Sequence, residues 1–205
     1  MPKVVDPEAR RRHVVEALFR VVVRDGLQRA SLRVVADEAA LNIGSVRHYF
    51  LDQQELMRFA MTSMMERVAA RITARLAQLG PQVHRRSREQ QLDLAVDVLS
   101  ELLPLDQERH AEATVFLEFI TAARTHPAFA DLARKSADGT RQLIHRVLAR
   151  LSPQTDLDLE TERLTALVDG LSLNGVLQPQ LLDPATAAAA LRRHLVELST
   201  SAVAR

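Results

Sequence analysis

Residues 31–56 run Ser-Leu-Arg-Val-Val-Ala-Asp-Glu-Ala-Ala-Leu-Asn-Ile-Gly-Ser-Val-Arg-His-Tyr-Phe-Leu-Asp-Gln-Gln-Glu-Leu, and this stretch constrains the fold more than any other. It is helix-forming in composition but too punctuated for one helix. Ser31, Asn42 and Asp52 each stand before a periodic apolar segment and can cap a helix start. The pattern predicts a short helix, a tight turn, a second short helix and the beginning of a third. Leu32, Val35, Ala36 and Ala39 share one face of the first, and Val46 and Phe50, four apart, face inward from the second. Two short helices joined by a three- or four-residue turn make a helix-turn-helix, whose second helix fits the DNA major groove.

The flanks extend this reading. Asp6-Pro7-Glu8 opens a helix: Asp caps, Pro occupies the first turn and Glu complements the dipole. Val15, Leu18, Phe19 and Val22 then recur at helical spacing, and Gly26 ends the helix. From Asp52 a long fourth helix is expected to run to about Leu79, where Gly80-Pro81 stops it. Breaks near Pro104, Pro127, Ser152-Pro153 and Gln178-Pro179-Gln180 divide the remainder into about five helices, near 88–102, 106–125, 127–151, 158–178 and 184–202. The expected fold class is all-α, with about nine helices. A three-helix helix-turn-helix domain is placed at 1–52, and a helical ligand-binding and dimerisation domain at 53–205.

Composition narrows the chemistry. With 205 residues the chain can bury a sizeable core, and a net charge of +1 means that any nucleic-acid surface is local. There is no Cys, which excludes disulfides, thiolate metal sites and Cys nucleophiles. No apolar run reaches the ~18 residues of a membrane span, so a cytoplasmic protein without membrane contact is the expectation. Gly-rich phosphate loops, His-Glu-x-x-His and G-x-S-x-G are all absent, and the seven His residues never reach metal-site spacing. Neither an enzyme nor a cofactor or metal site is expected.

The run Gly26-Leu27, Ser31-Leu32-Arg33, then Gly44-Ser45-Val46-Arg47-His48-Tyr49-Phe50 and Glu55-Leu56 resembles the TetR/AcrR family of one-component regulators over residues 7–60. The segments Leu-Val-Asp-Gly-Leu-Ser-Leu and Leu-Arg-Arg-His-Leu further along look most like the choline/betaine-regulator type of C-terminal domain. The resemblance implies a ligand-controlled, dimeric repressor of a palindromic operator on double-stranded DNA, released by a small molecule whose identity it leaves open. A helical scaffold of the same fold without DNA binding is the alternative. Two departures stand out. Ala40 replaces the usual Gly in the turn. Gln53 stands where many members carry a phosphate-binding Lys, and can offer only a neutral hydrogen bond.

The expected DNA contacts follow from chemistry and position. Residues 1–50 hold nine basic and six acidic side chains, and Lys3, Arg10, Arg11 and Arg12 cluster where phosphates or a minor groove come within reach. Arg33 matches a family position that meets backbone or base edge, with an Arg33–Asp37 ion pair as the other reading. Arg47 is the best base reader, since a guanidinium pairs with guanine O6 and N7. His48 and Tyr49 are expected to hold phosphates, and Gly44 to let the helix approach the bases. Ser31, Asn42 and Ser45 complete the polar surface offered to the duplex.

A small-molecule cleft is expected between helices of the second domain. Ala113–Ala123 is apolar nearly all round, and Met61, Met64, Met65 and Val68 offer an adaptable wall opposite Phe116, Phe119 and Ile120. Plain core packing is the competing reading for each of these. Glu118 is the one charge in the apolar run and must meet a cationic ligand, an Arg such as Arg124, or solvent. Asn174 points into a pocket or across an interface. Leu164, Leu167, Leu171 and Gly175, then Leu191, Leu195 and Leu198, form the stripes expected to dimerise. Gly170 and Gly175, each costing about 1 kcal/mol inside a helix, suggest close helix–helix approach.

Overall fold

The computed structural model describes residues 6–77, 87–152 and 156–201. Every regular element among them is helical: α1 (Pro7–Asp25), α2 (Leu32–Glu38), α3 (Ile43–Arg47), α4 (Gln53–Ala77), α5 (Arg88–Leu99), α6 (Gln107–Ala123), α7 (Ala130–Leu151), α8 (Leu157–Leu177) and α9 (Pro184–Ser201). Short 3-10 turns lie at Leu27–Arg29, Ser100–Leu102 and Pro127–Phe129. Lys3 and the expected stop at Leu79–Pro81 lie outside the described residues.

Local signals set most of the boundaries. The Asp6 carboxylate accepts from the Glu8 amide at 3.0 Å with Pro7 in the first turn, and Gly26 closes α1 at φ 81° with its N–H on the Val22 carbonyl. Asp52 caps α4, accepting from the Glu55 amide at 2.7 Å, while the Glu55 carboxylate reaches back to the Leu51 amide at 2.7 Å. Ser87 and Gln90 form a reciprocal capping box on α5. Asp156 and Asp183 cap α8 and α9 through the amides of Leu159 and Thr186.

The chain divides into two compact units, and not at residue 52. Among the described residues the first runs to Met65 and takes in Thr114–Ala133; the second holds Glu66–Ala113 and the chain from Arg134 onward. The physical reason is one shared core. Val14, Leu18 and Phe19 of α1, Val35 of α2, Val46 of α3, and Leu56, Met57, Met61 and Met64 of α4 are buried together with Val115, Phe119, Phe129 and Leu132. The helix-turn-helix therefore rests on the second half of α6 and the α6–α7 turn. This overturns three of the expected cleft residues: Met61, Met64 and Phe119 are almost fully buried core side chains. Burying a side chain of that size contributes about 1.5–3 kcal/mol.

The second unit has its own core, built by Leu92, Ala95 and Leu99 of α5, by Leu103 just after the Ser100–Leu102 turn, by Ile144 and Leu148 of α7, and by the inner faces of α8 and α9. That core claims most of the stripe read as a dimer seam. Leu164, Leu171, Leu191, Leu195 and Leu198 are buried within the chain, and Leu167 packs against them. An α8–α9 pair needs an inner face before it can offer an outer one, and these leucines are the inner face. Gly175 is likewise an internal contact: a Cβ there would stand 2.7 Å from Pro104 Cγ, whereas one at Gly170 meets nothing within 4 Å.

Candidate nucleic-acid interface

The turn and α3 are held by their own polar groups. Ser31 Oγ accepts from the Val34 amide at 3.3 Å, and Asn42 Oδ1 accepts from the Ser45 amide at 2.7 Å. Gly44 sits beside that cap: a Cβ would come within 3.2 Å of Asn42 Oδ1. Its bareness thus serves the cap as well as any approach to a base. Ala40 takes φ 53°, a left-handed backbone that L side chains rarely adopt, so the turn keeps a glycine-like bend without a glycine.

This scaffold leaves Ser31, Arg33, Asn42, Gly44, Arg47 and His48 exposed, while Val46 and Phe50 are buried beneath them. Ser45 and Tyr49 are half-buried. Tyr49 packs against the core, with the His48 ring edge-on at 5.0 Å, so its ring is structural. Arg33 stands on α2 without an ion pair to Asp37 among the described contacts. Arg12 is exposed and only loosely paired with Asp6, at 3.8 Å. Arg10 is half-buried on the same turn of α1.

Two expected contacts are turned to other work. Arg11 lies over the rings of Phe50 and Phe59, 5.7 and 5.2 Å from their centroids, and meets Glu8 at 3.8 Å. Its guanidinium spreads over apolar surface and pins α1 to the end of the reading helix. Gln53 Nε2 donates to the Leu27 carbonyl at 3.3 Å, so its amide faces the protein rather than a phosphate.

Other residues that matter carried no local signal. His13 Nε2 bonds the Ala39 carbonyl at 2.9 Å, beside the strained Ala40. Glu38 receives Arg20 Nε at 2.7 Å and Arg24 Nη1 at 2.9 Å, and these two hydrogen bonds hold its carboxyl below the usual carboxylate range. Both ties fix α2 on α1 across 14 to 26 residues of chain.

The expected effector residues scatter. Glu118 meets neither Arg124 nor a cleft through its bonded oxygen: Oε2 accepts from the Leu27 amide at 3.4 Å. Met65, Phe116 and Ile120 are half-buried against the first core, and Val68 is half-buried in the second unit. Asn174 is exposed, so it does not point into the chain's interior. In the second unit an open groove of about 480 Å³ lies between α7 and α8, walled by charged and polar residues that include Arg141, His145, Arg146, Asp158 and Glu162. Among the described residues no group of three or more His, Cys, Asp or Glu could hold a metal, and no helix is long and apolar enough to cross a membrane.

The sequence model of the family described as "BetI-type transcriptional repressor, C-terminal" matches residues 92–200. The "HTH-type transcriptional regulator PksA" of Bacillus subtilis is 36% identical over 186 residues, covering 87% of this chain and 84% of that protein. The "HTH-type transcriptional regulator BetI" of Vibrio campbellii is 27% identical over 183 residues, covering 89% and 88%. Among solved structures, a transcriptional regulator from Rhodococcus sp. Rha1 superposes with a TM-score of 0.78 at 29% identity, covering 96% of this chain and 97% of its own. The multidrug binding protein EbrR, solved with imidazole, gives a TM-score of 0.58 at 29% identity, covering 90% and 93%.

Proposed function

This chain belongs to the TetR family of helix-turn-helix transcriptional regulators, with a BetI-type C-terminal domain, and from that premise we propose that it is a dimeric repressor released from a palindromic operator by a small molecule. The observation that carries the DNA half is α3: a short helix capped by Asn42, backed by buried Val46 and Phe50, and presenting Gly44, Arg47 and His48 outward. A bidentate guanidinium suits guanine, and exposed Arg12 and Arg33 suit phosphates.

For the effector, the half-buried apolar side chains Met65, Phe116 and Ile120 support a small, largely apolar site on α4 and α6. The imidazole bound by EbrR supports a small organic occupant. The preference for a cationic ligand drawn from Glu118 is dropped, because that carboxylate is engaged with the Leu27 amide.

For the dimer, the outer stripe of α8 replaces the inner one. Leu159, Ala166, Leu173 and Leu177 recur at helical spacing and are exposed, and Gly170 between them has open space above it. Ala185 and Ala189 continue an exposed, small-residue face on α9. The test is selection of duplexes from a randomised DNA library by the purified protein. A palindromic consensus, and release on adding a compound that also raises the melting temperature, is expected. Failure to enrich any duplex would leave the scaffold reading.

A further inference from the structure

Gln53 and Glu118, taken from the sequence as a DNA contact and a ligand contact, converge on the backbone of one residue, Leu27. The Leu27 carbonyl accepts from Gln53 Nε2 at 3.3 Å, and the Leu27 amide donates to Glu118 Oε2 at 3.4 Å. We infer that Glu118 and Gln53 are positioning residues for DNA recognition, clamping the Leu27 backbone from both sides and through it the turn on which α2 and α3 stand. The inference rests on the DNA-binding reading above.

Leu27 is well placed for such a clamp. It follows Gly26, whose φ of 81° gives the chain a bend with wide conformational freedom. Its side chain is buried in the first core. Its carbonyl also accepts from the Ala30 amide at 3.0 Å, and the next residue, Ser31, caps α2. A shift of this residue therefore reaches the cap of α2 within four residues. Both clamp bonds are long, so each is weak alone, and their effect lies in gripping opposite ends of the same residue. The helix that carries Glu118 is anchored in turn. Arg58 of α4 makes a two-pronged ion pair with Asp131, at 2.7 and 2.8 Å, and also donates to the Ala128 carbonyl. That fork fixes the α6–α7 turn to the first unit.

Charge and clamp make opposite demands on Glu118. A carboxylate near a DNA-reading surface repels phosphates, so removing it would tighten binding if charge were all it contributed. A clamp loses its acceptor, and binding weakens. The full-length protein is titrated against a duplex it has itself selected, by fluorescence anisotropy at several salt concentrations. Glu118→Gln keeps an acceptor oxygen and should bind within about twofold of the parent or slightly tighter. Glu118→Ala and Gln53→Ala should each bind about five- to tenfold more weakly, the loss of one modest hydrogen bond. The salt slope should be unchanged, since no phosphate contact is removed. Exchange of the Leu27 amide hydrogen should accelerate in Glu118→Ala and not in Glu118→Gln. The double alanine variant should be scarcely weaker than the worse single, because freeing either side frees the residue. The inference is overturned if Glu118→Ala binds as tightly as the parent or more so. It is equally overturned if Glu118→Gln is as weak as Glu118→Ala, or if the two alanine losses multiply. Should the parent select no duplex at all, the DNA-binding reading fails, and Leu27 exchange in Glu118→Ala still decides whether the clamp exists. Should Glu118→Ala not fold, Gln53→Ala and Glu118→Gln carry the same comparison.

Discussion

At Ala40 the backbone turns left-handed, and the residue is held there by its neighbours: the Ala39 carbonyl takes His13 Nε2, and the Ala40 amide bonds the Asp37 carbonyl at 3.1 Å. A left-handed L residue costs about 1–2 kcal/mol, while glycine gives back roughly 0.5–1 kcal/mol in unfolded-state entropy. Ala40→Gly should therefore stabilise the protein by about 0.5–1 kcal/mol, raising the melting temperature by a few degrees in a thermal scan. A second contrast belongs to the arginines. Arg47→Ala should cost about 1–3 kcal/mol of DNA affinity and relax preference at one base pair in each half-site. Arg12→Ala should weaken all sequences alike and flatten the salt dependence, read by repeating the titration across salt. Arg11→Ala, by contrast, should lower stability, since its guanidinium covers Phe50 and Phe59. At this scale the sequence showed which residues could reach DNA but not which were spoken for. Asn42 and Ser31 were legible as caps because a cap acts within three residues. Arg11 and Gln53 were not, because their partners lie 26 or more residues away.

Helix α4 joins a legible start to a middle that the sequence did not disclose. Its cap at Asp52 is local, but its outer turns carry Arg71 and Arg75, which enter a buried ion network. Arg71 meets Glu112 through two bonds of 3.0 and 2.5 Å and Glu101 at 2.9 Å; Arg75 also donates to Glu101. Glu101 and Glu112 are only 4% and 5% exposed. Nothing in the sequence separates these glutamates from surface ones, since burial is decided by helices brought together in three dimensions. Burial pushes the Glu101 carboxyl up, but hydrogen bonds from Arg71 and Arg75 outweigh it and leave it below its ordinary 4.5. A carboxyl depressed in the folded state contributes stability above its unfolded value, and that contribution is lost as pH falls through the folded one. The parent should therefore lose melting temperature on acidification below about pH 4.5. Arg71→Met removes both bonds to the buried Glu112 and one of those to Glu101, which keeps Arg75, and should cost about 3 kcal/mol or more at neutral pH. Glu101 then loses one of the two hydrogen bonds that hold its carboxyl down, so its contribution shrinks and this variant should lose less stability than the parent on acidification. Melting temperature against pH for both proteins checks both slopes. An Arg71→Met curve parallel to the parent's would mean the network carries no net coupling.

Across the whole molecule the helix count, the order of elements and the helix-turn-helix were readable from periodicity and caps. The allotment of faces was not. An apolar stripe on a helix reports that something covers it, without saying whether the cover is the same chain or another. The α8 and α9 leucines read as a seam between subunits turned out to be the interior of the second unit, because Leu92, Leu99, Ile144 and Leu148 meet them there. The same geometry exposes a different stripe. On α8, Leu173 is 42% and Leu177 64% exposed, one turn apart. They continue through Gly170 to Ala166, and a Cβ added at Gly170 would meet nothing within 4 Å among the described residues beyond its own stretch of helix. Large apolar side chains aligned along two turns are costly to leave in water, at about 25 cal/mol per Å² of apolar area. A two-fold pair of such stripes removes that area from both chains at once, which is the economy of an isologous interface. Leu173→Glu with Leu177→Glu places four like charges across that two-fold. Sedimentation at micromolar concentration should then show a monomer for the variant and a dimer for the parent, with helicity unchanged by circular dichroism. Leu164→Ala, inside the chain, should instead lower the melting temperature by the cost of a core cavity, about 2–5 kcal/mol. The monomer should lose affinity for a full palindrome far more than for a single half-site, because the second half-site no longer comes within the same complex. A charge-bearing double variant that still sediments as a dimer would move the interface off this face of α8.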